Sequence, residues 1–196
     1  MVHAMLNGES RAIVLKAEPT RFRATLLDEQ KGKLRALSFD TLSPGTVMRA
    51  AFNTKSNLPI LHCIETISMP FILARTNIWW FHALLALIDS CVPPGSGVGP
   101  LFEQLVWLCT TDPALDKKSQ IRYCAKMITT LGLHTPHDGI CAQCMHTLHT
   151  TAIDALQQIR FHGACAVPLH EWVTSCIEHH VGSSMILFIR DIHYEE

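Results

Sequence analysis

Charged side chains are scarce in this sequence, and their two signs nearly cancel. Asp, Glu, Lys and Arg make up 17% of the 196 residues, and the formal net charge at pH 7 is −1. Such a balance argues against a general binder of polyanions, because dedicated nucleic-acid domains are usually strongly basic. Apolar residues account for 48%, which is ample for a buried core and gives no sign of disorder.

Signals that direct a chain to a membrane are also missing. The first residues show no basic segment followed by an apolar stretch, so we expect no secretory signal. Four polar residues interrupt the most apolar run, residues 72–92: Arg75, Asn77, His82 and Asp89. A bilayer-spanning helix does not tolerate them. We therefore predict no membrane partner and a cytoplasmic location, where the eight cysteines stay reduced.

Motifs of the common enzyme classes are absent as well. The sequence has no Gly-rich phosphate loop, no His-Glu-x-x-His metal motif and no Gly-x-Ser-x-Gly nucleophile motif. Internal repeats and low-complexity segments are missing too. We therefore expect a protein that binds other molecules and is not an enzyme.

The most specific motif that is present consists of two short-spaced ligand pairs. Cys141-x2-Cys144 is followed, after seventeen residues, by His162-x2-Cys165. Each pair sits on a tight turn, and the connector lets both pairs meet at one tetrahedral zinc ion. We predict a closed structural site with three thiolates and one imidazole, which leaves no open position for chemistry.

Other assignments of these ligands remain open. The two cysteines of the first pair are alternatively ordinary thiols in a cysteine-rich chain. The sequence holds twelve histidines, and several of them flank the motif. If His162 is not a ligand, the fourth position falls to His146, His149 or Cys176.

The first third of the chain has the alternation typical of β-strands. Five short runs mix apolar and polar residues, and turn residues such as Pro and Gly separate them. The runs are residues 11–16, 22–27, 33–39, 47–53 and 60–67. They predict a small closed or half-closed barrel, which we assign as OB-like, with an SH3-like barrel as the alternative.

From residue 69 on, the apolar period becomes helical. We predict one long helix over residues 71–91 and another over 101–109. The next helix begins with Asp112 as N-cap and Pro113 at its first position, and it stops at Gly132. A helix then joins the two ligand pairs, and the last helix begins at Pro168.

The predicted fold class is therefore α+β. An OB-like barrel domain spans residues 1–69, and an all-helical domain spans residues 70–196. The second domain carries a zinc-ribbon-like knuckle at residues 137–168. We predict the helix between the ligand pairs from the helical spacing of four apolar residues, Leu148, Ala152, Leu156 and Ile159.

The order of these elements resembles the bacterial recombination mediator family RecO over nearly the whole chain. Residues 11–37 are similar to the first hairpin of that family's OB domain. Residues 122–133 resemble the helix that precedes its first Cys-x2-Cys, and residues 172–189 resemble its C-terminal helix and closing segment. Zinc-bearing relatives have a second Cys-x2-Cys where this chain has His-x2-Cys, and their loop after the third strand is longer and basic.

This resemblance implies a non-enzymatic protein of DNA repair and recombination. Family members bind single- and double-stranded DNA, anneal complementary strands, and associate with the single-strand-binding protein and a ring-forming, RecR-like partner. They help to load the recombinase onto single-stranded DNA after DNA damage. The alternative is a zinc-stabilised adaptor of the same architecture that acts through protein contacts alone.

On this hypothesis the barrel surface would hold DNA. Residues 1–69 carry nine Lys or Arg against six Asp or Glu, whereas residues 70–196 carry seven against eleven. The candidate phosphate contacts are Arg21, Arg23, Lys31, Lys33, Arg35, Arg49 and Lys55. Four of them occupy odd positions of adjacent predicted strands, so alternation places each pair on one face. The alternative is that they form the ordinary solvated face of a sheet.

Aromatic and helical residues complete the predicted surfaces. Phe22, with Phe39 or Phe52, would stack on bases if the rings pointed outward, but we assign these rings to the core. In relatives, the helical body accepts the acidic, apolar tail of the single-strand-binding protein. The matching basic positions are Lys126 and, one turn earlier, Arg122, which is alternatively part of a surface salt bridge.

Overall fold

The computed structural model describes residues 7–54, 58–133, 152–156, 159–162 and 169–181. The chain divides into two compact units, residues 1–114 and 115–196. The change from strands to helices comes at the predicted place, since the last strand of the first unit ends at Ser68 and the next helix begins at Phe71. The boundary between the two units lies after residue 114, further along the chain than this change. Three helices therefore belong to the same unit as the five strands of the ring.

Five strands of the first unit close into a ring. They are β1 (Asn7–Glu18), β2 (Arg23–Asp28), β3 (Gly32–Leu37), β4 (Val47–Asn53) and β5 (Ile60–Ser68). Their order around the ring is β1-β2-β3-β5-β4. Neighbours are antiparallel except for β3 and β5, which are parallel with Leu37 opposite Ile60. The predicted α+β class, with an N-terminal closed sheet followed by helices, is confirmed.

Strand alternation fills the interior of the ring. The inward residues are small or apolar and fully buried: Ala12, Val14, Ala24, Leu26, Ala36, Met48, Ala50, Phe52 and Leu61. The opposite face of β1 is buried as well, because Ile13 and Leu15 are at most 4% exposed and a helix packs against that strand. Burial on both faces therefore places this part of β1 between the interior of the ring and α2.

The first unit continues with α1 (Phe71–Thr76), α2 (Ile78–Cys91) and α3 (Gly99–Thr111). The single helix predicted over residues 71–91 is wrong, because the helical backbone is interrupted at Asn77, with φ −126° and ψ 32°. The Thr76 hydroxyl lies 2.8 Å from the Ile72 carbonyl oxygen and 3.1 Å from the Asn77 side-chain oxygen. Such local polar contacts compete with helical hydrogen bonds, and apolar periodicity does not reveal them.

Asp112 caps a helix, but not the helix that the sequence predicts. It ends α3 in the left-handed region, with φ +46°. Its carboxylate accepts the N–H groups of Ile72 at 2.6 Å and Leu73 at 2.8 Å, which belong to the first turn of α1 and therefore have no acceptor within that helix. The next helix, α4 (Lys117–Thr130), is capped by Asp116, which accepts the Ser119 N–H at 2.8 Å.

In the second unit, the predicted stop at Gly132 is confirmed. Gly132 has φ +71°, its N–H donates to Thr129 O at 3.1 Å, and the Leu133 N–H donates to Ile128 O at 3.1 Å. This pair of bonds is a Schellman motif, which requires a left-handed residue after the helix. The last helix, α5 (Leu169–Val181), begins directly after Pro168 and packs against α4.

The expected helix between the two ligand pairs is wrong. The chain there forms an antiparallel hairpin of β6 (Ala152–Leu156) and β7 (Ile159–His162). Residues four apart, such as Ala152 and Leu156, share a face both in a helix and in a strand, so their spacing does not distinguish the two. The second unit is therefore not all-helical. Among the described residues, no helix is long and apolar enough to cross a membrane.

Gly45 lies so close to α2 that we predict a steric penalty for any side chain at this position. Gly45 has φ +83°, and an added Cβ would overlap the Phe81 ring. Gly95 has a similar φ of +73° but open space around it. We expect both alanine variants to lose roughly 1–2 kcal/mol from the left-handed backbone. Gly45→Ala should lose about 1–3 kcal/mol more from overpacking. Urea unfolding of both variants measures the difference, and equal losses would contradict the packing argument.

Candidate nucleic-acid interface

The turn between β1 and β2 presents Phe22 to solvent. Residues Pro19–Arg21 form one 3-10 turn, and the Phe22 N–H donates to Pro19 O at 3.2 Å. Phe22 has φ +50°, in a region that bulky residues rarely occupy. Such strain persists where neighbouring structure holds it, and here the Ser38 N–H donates to Phe22 O at 2.9 Å. The Phe22 side chain is 57% exposed.

Phe39 lies beside Phe22 and is also exposed. The two ring centroids are 5.8 Å apart with an interplanar angle of 38°, and Phe39 is 70% exposed. The assignment of Phe22 and Phe39 to the core is therefore wrong, whereas that of Phe52, at 1% exposure, is confirmed. Phe22 belongs to a turn and Phe39 follows the end of β3, so strand alternation does not decide which way either ring points.

Two arginines accompany the ring pair on the outer face of the sheet. Arg23 begins β2 opposite Leu37, and Arg35 lies in β3 opposite Thr25. They are thus diagonal neighbours on one face, as the alternation predicts. Both are exposed, and neither has an ion-pair partner in the part of the chain that the structure describes. We name Arg21, Phe22, Arg23, Arg35 and Phe39 the arginine–phenylalanine surface.

Glu18 is an acidic residue held among these cations. It pairs with Arg23 across the β1–β2 ladder. Its carboxylate lies 2.9 Å from the Lys16 ammonium and 3.9 Å from the Arg21 guanidinium. The hydrogen bond and charge of Lys16, followed by the charges of Arg21 and Arg35, hold the pKa of Glu18 below its usual value. Arg21, which the alternation predicts in a strand, instead lies in the 3-10 turn and contacts Glu18 from there.

Two of the predicted phosphate contacts point into the first unit. The Lys33 ammonium lies 3.5 Å from the Asp89 carboxylate in α2 and also donates to the Asp89 carbonyl. Only 14% of the Lys33 side chain is exposed. The Lys31 ammonium lies 4.2 Å from the centre of the buried Phe52 ring, a cation–π contact that attaches the β2–β3 turn to the barrel interior.

The remaining predicted contacts lie elsewhere. Arg49 on β4 pairs with Glu9 at 3.5 Å and with Glu65 at 2.9 Å. In the ring order, β1 and β5 separate β4 from β2 and β3. Lys55 lies outside the described residues. Of the predicted cations, the fold therefore brings Arg21, Arg23 and Arg35 together on one surface.

The second unit carries a separate basic surface on α4. Arg122 and Lys126 are both exposed and lie one turn apart. Lys118, one turn before Arg122, is exposed on the same side, and the four-residue spacing of the three cations was a signal that the sequence-based assignment missed. We name Lys118, Arg122 and Lys126 the α4 stripe. The opposite side of α4 is buried, with Ile121, Cys124 and Ile128.

The predicted zinc ligands are mostly outside the described residues. His162 ends β7 opposite Ala152, whereas Cys141, Cys144 and Cys165 fall outside the described ranges. Within those ranges, no group of three or more His, Cys, Asp or Glu side chains is arranged to hold a metal ion. The alternative ligand Cys176 is described, and burial raises the pKa of its thiol to about 11.

The Glu18 ion pairs predict a measurable titration. We expect Lys16→Gln to raise the pKa of Glu18 towards 4.5, because Lys16 is the main cause of the lowered value. Arg21→Gln should raise it less, because that guanidinium lies farther away, at 3.9 Å. A pH titration of the side-chain carboxyl carbon by NMR measures both shifts.

The lowered pKa of Glu18 also makes the stability of the protein depend on pH. Because the pKa of Glu18 is lower in the folded state, its ion pairs stabilise the fold above the unfolded pKa. That contribution is lost as the pH falls from 4.5 through the lowered value. The stability difference between wild type and Lys16→Gln should therefore disappear in acid. A difference that persists there would show that Lys16 acts by packing and not by charge.

Comparison with known proteins assigns no family to the chain. No protein-family model matches the sequence, and no curated protein is significantly similar to it. The function must therefore be inferred from the residues themselves and from the geometry described above.

Proposed function

We propose that this chain is a DNA-binding recombination mediator that holds single-stranded DNA on the arginine–phenylalanine surface. The observation that carries the proposal is the exposed Phe22–Phe39 ring pair beside Arg23 and Arg35. Proteins that bind single strands without sequence preference stack bases on aromatic rings and follow the backbone with cations. Both components occur here on one surface.

The ring topology supports an OB-like barrel. The order β1-β2-β3-β5-β4, with β3 and β5 parallel, closes a small five-stranded ring. OB folds bind oligonucleotides on the face of strands 2 and 3 and with the loop between strands 1 and 2. Arg23 and Arg35 lie on β2 and β3, and Phe22 follows the 3-10 turn between β1 and β2. The surface proposed to bind DNA therefore lies where OB folds bind oligonucleotides.

The mediator role rests on the resemblance to the RecO family. It comprises strand annealing and recombinase loading in DNA repair, with the single-strand-binding protein and a RecR-like ring as partners. A chain with few spare cations should bind DNA reversibly, because each phosphate contact adds to the electrostatic part of the affinity. Reversible binding suits a protein that passes a strand from one partner to another.

The α4 stripe supports a protein partner with an acidic segment. Its three exposed cations follow one another at intervals of one helical turn, which suits an extended acidic peptide. We propose that it accepts the tail of the single-strand-binding protein. The same stripe is the observation that favours the alternative function, a zinc-stabilised adaptor without DNA binding.

We also propose that the second unit holds a structural zinc ion. The β6–β7 hairpin sets His162 opposite Ala152, so the chain enters and leaves the hairpin at the same end. In the sequence, Cys141 and Cys144 precede the hairpin, His162 is its last residue, and Cys165 follows it. Two short-spaced pairs flanking a hairpin suit a zinc-ribbon-like site with Cys141, Cys144, His162 and Cys165 as ligands.

Binding to an oligothymidylate, followed by fluorescence anisotropy at several salt concentrations, tests the DNA-binding function. The double variant Arg23→Gln, Arg35→Gln should reduce the slope of log affinity against log salt by about 0.7 for each phosphate that it no longer neutralises. Arg49→Gln is the matched control, because Arg49 is already paired with Glu9 and Glu65. Its slope should stay that of the wild type.

Ring removal tests the stacking component in the same assay. Phe39→Ala should weaken binding by roughly 1–3 kcal/mol for each base that no longer stacks. Trp107→Ala on α3, where the ring is 54% exposed, should have no effect. Phe22→Gly removes the ring and also relieves the left-handed strain, so weaker binding by this variant would not reflect a destabilised fold. If the wild type does not bind at low ionic strength, only the adaptor function remains.

Metal analysis of the purified protein tests the zinc site. We expect one bound zinc ion per chain, and we expect His162→Ala to reduce the zinc content because a closed site needs all of its ligands. His62→Ala is the control, since His62 is exposed on β5 in the first unit. Full zinc retention by the His162 variant would instead assign the fourth position to another side chain.

A further inference from the structure

Glu18 is an acidic side chain next to the surface for which we propose DNA binding. Glu18 lies among Lys16, Arg21 and Arg23, at 2.9 Å from the first cation and 3.9 Å from the second. Asp40, which follows Phe39, is exposed and has no ion-pair partner among the described residues. The two carboxylates of this region therefore differ in one respect: only Glu18 holds the cations.

We propose that Glu18 occupies the position of a nucleic-acid phosphate, so that a single strand binds by replacing this carboxylate with a phosphodiester at Lys16 and Arg21. The inference rests on the proposed DNA-binding function and adds a residue that sets its affinity and selectivity. A carboxylate and a phosphodiester each carry one negative charge and present two accepting oxygens. The exchange therefore leaves the charge of the cation cluster balanced.

The local structure permits this exchange without backbone movement. The backbone of the turn is held by the ladder pair of Glu18 with Arg23 and by the hydrogen bonds of Phe22. The side chains that must move are partly or largely exposed: 32% for Glu18, 59% for Lys16 and 72% for Arg21. Rotation of exposed side chains is fast and needs no change in the strands.

Selectivity follows from this competition. A free phosphate would contact only Lys16 and Arg21, which Glu18 already contacts. The Glu18 carboxylate therefore competes effectively with free phosphate for these cations. A single strand gains the same cations and also stacks its bases on Phe22 and Phe39. A duplex keeps its bases stacked within the helix and cannot make that second contact. Glu18 should therefore favour single strands over duplexes and over free phosphate.

The test compares Glu18→Gln with Asp40→Asn in oligothymidylate binding across salt concentrations. Both variants remove one negative charge from the same region. Glu18→Gln should bind about two- to fivefold more tightly, the range that an exposed ion pair contributes. Its salt slope should steepen by about 0.7 for each cation it releases. Asp40→Asn should leave the slope unchanged, because its carboxylate holds no cation.

A double-mutant cycle removes the remaining ambiguity. If Glu18 competes for Lys16, then Glu18→Gln should tighten binding less in a Lys16→Gln background than in the wild type. Inorganic phosphate should also inhibit oligothymidylate binding to Glu18→Gln at lower concentration than binding to wild type. Thermal unfolding of each variant confirms that the comparison is made between folded proteins.

The possible results separate this inference from the function on which it rests. If neither wild type nor Glu18→Gln binds the oligonucleotide at low salt, the DNA-binding function fails. If wild type binds and Glu18→Gln binds equally or more weakly, Glu18 positions the cations and does not compete, which overturns the inference alone. Equal gains in affinity and equal slopes for Glu18→Gln and Asp40→Asn would also overturn it, because both would then act through the general field.

Discussion

Burial of both faces of β1 is the constraint on which the first unit depends. Ala12 and Val14 point into the ring, while Ile13 and Leu15 are covered from outside. The same strand pairs with β2 on one edge and β4 on the other. Residues 12–15 are therefore enclosed on both faces, and α2 packs against the strand. Beyond this enclosed segment the side chains of β1 reach solvent, since Lys16 is 59% and Glu18 32% exposed.

Two cations of this unit attach helices to the sheet, whereas Arg23 and Arg35 do not. Arg11 bridges Glu29 at 2.7 Å and Glu103 at 2.5 Å, which connects the sheet to α3, and Lys33 connects it to Asp89 in α2. These pairs dock the helices on the sheet. Arg23 and Arg35 have no such task. Sequence position does not separate the two groups, because Glu103 and Asp89 come from helices more than fifty residues away along the chain.

The sequence predicts the strands of the ring well and the turns between them poorly, for a physical reason. Strand alternation is imposed by the barrel interior, and it identifies all five strands of the ring. Alternation does not predict the direction of Phe22, because this residue is left-handed and lies in the turn between two strands, neither of which determines where its ring points. The β6–β7 hairpin was missed because apolar residues four apart fit both periods, and the break at Asn77 depends on local polar contacts.

Two aspartates lie on either side of the division between the units. Asp112 closes α3 and caps α1, so both of its contacts stay within the first unit. Asp116 caps α4, and the Leu115 carbonyl accepts the Gln120 side-chain amide at 3.0 Å, so these contacts stay within the second unit. A chain ended after Ala114 or started at Leu115 would keep every one of these caps. Residue 114 is thus the point at which the protein can be dissected into two parts with their helix ends intact.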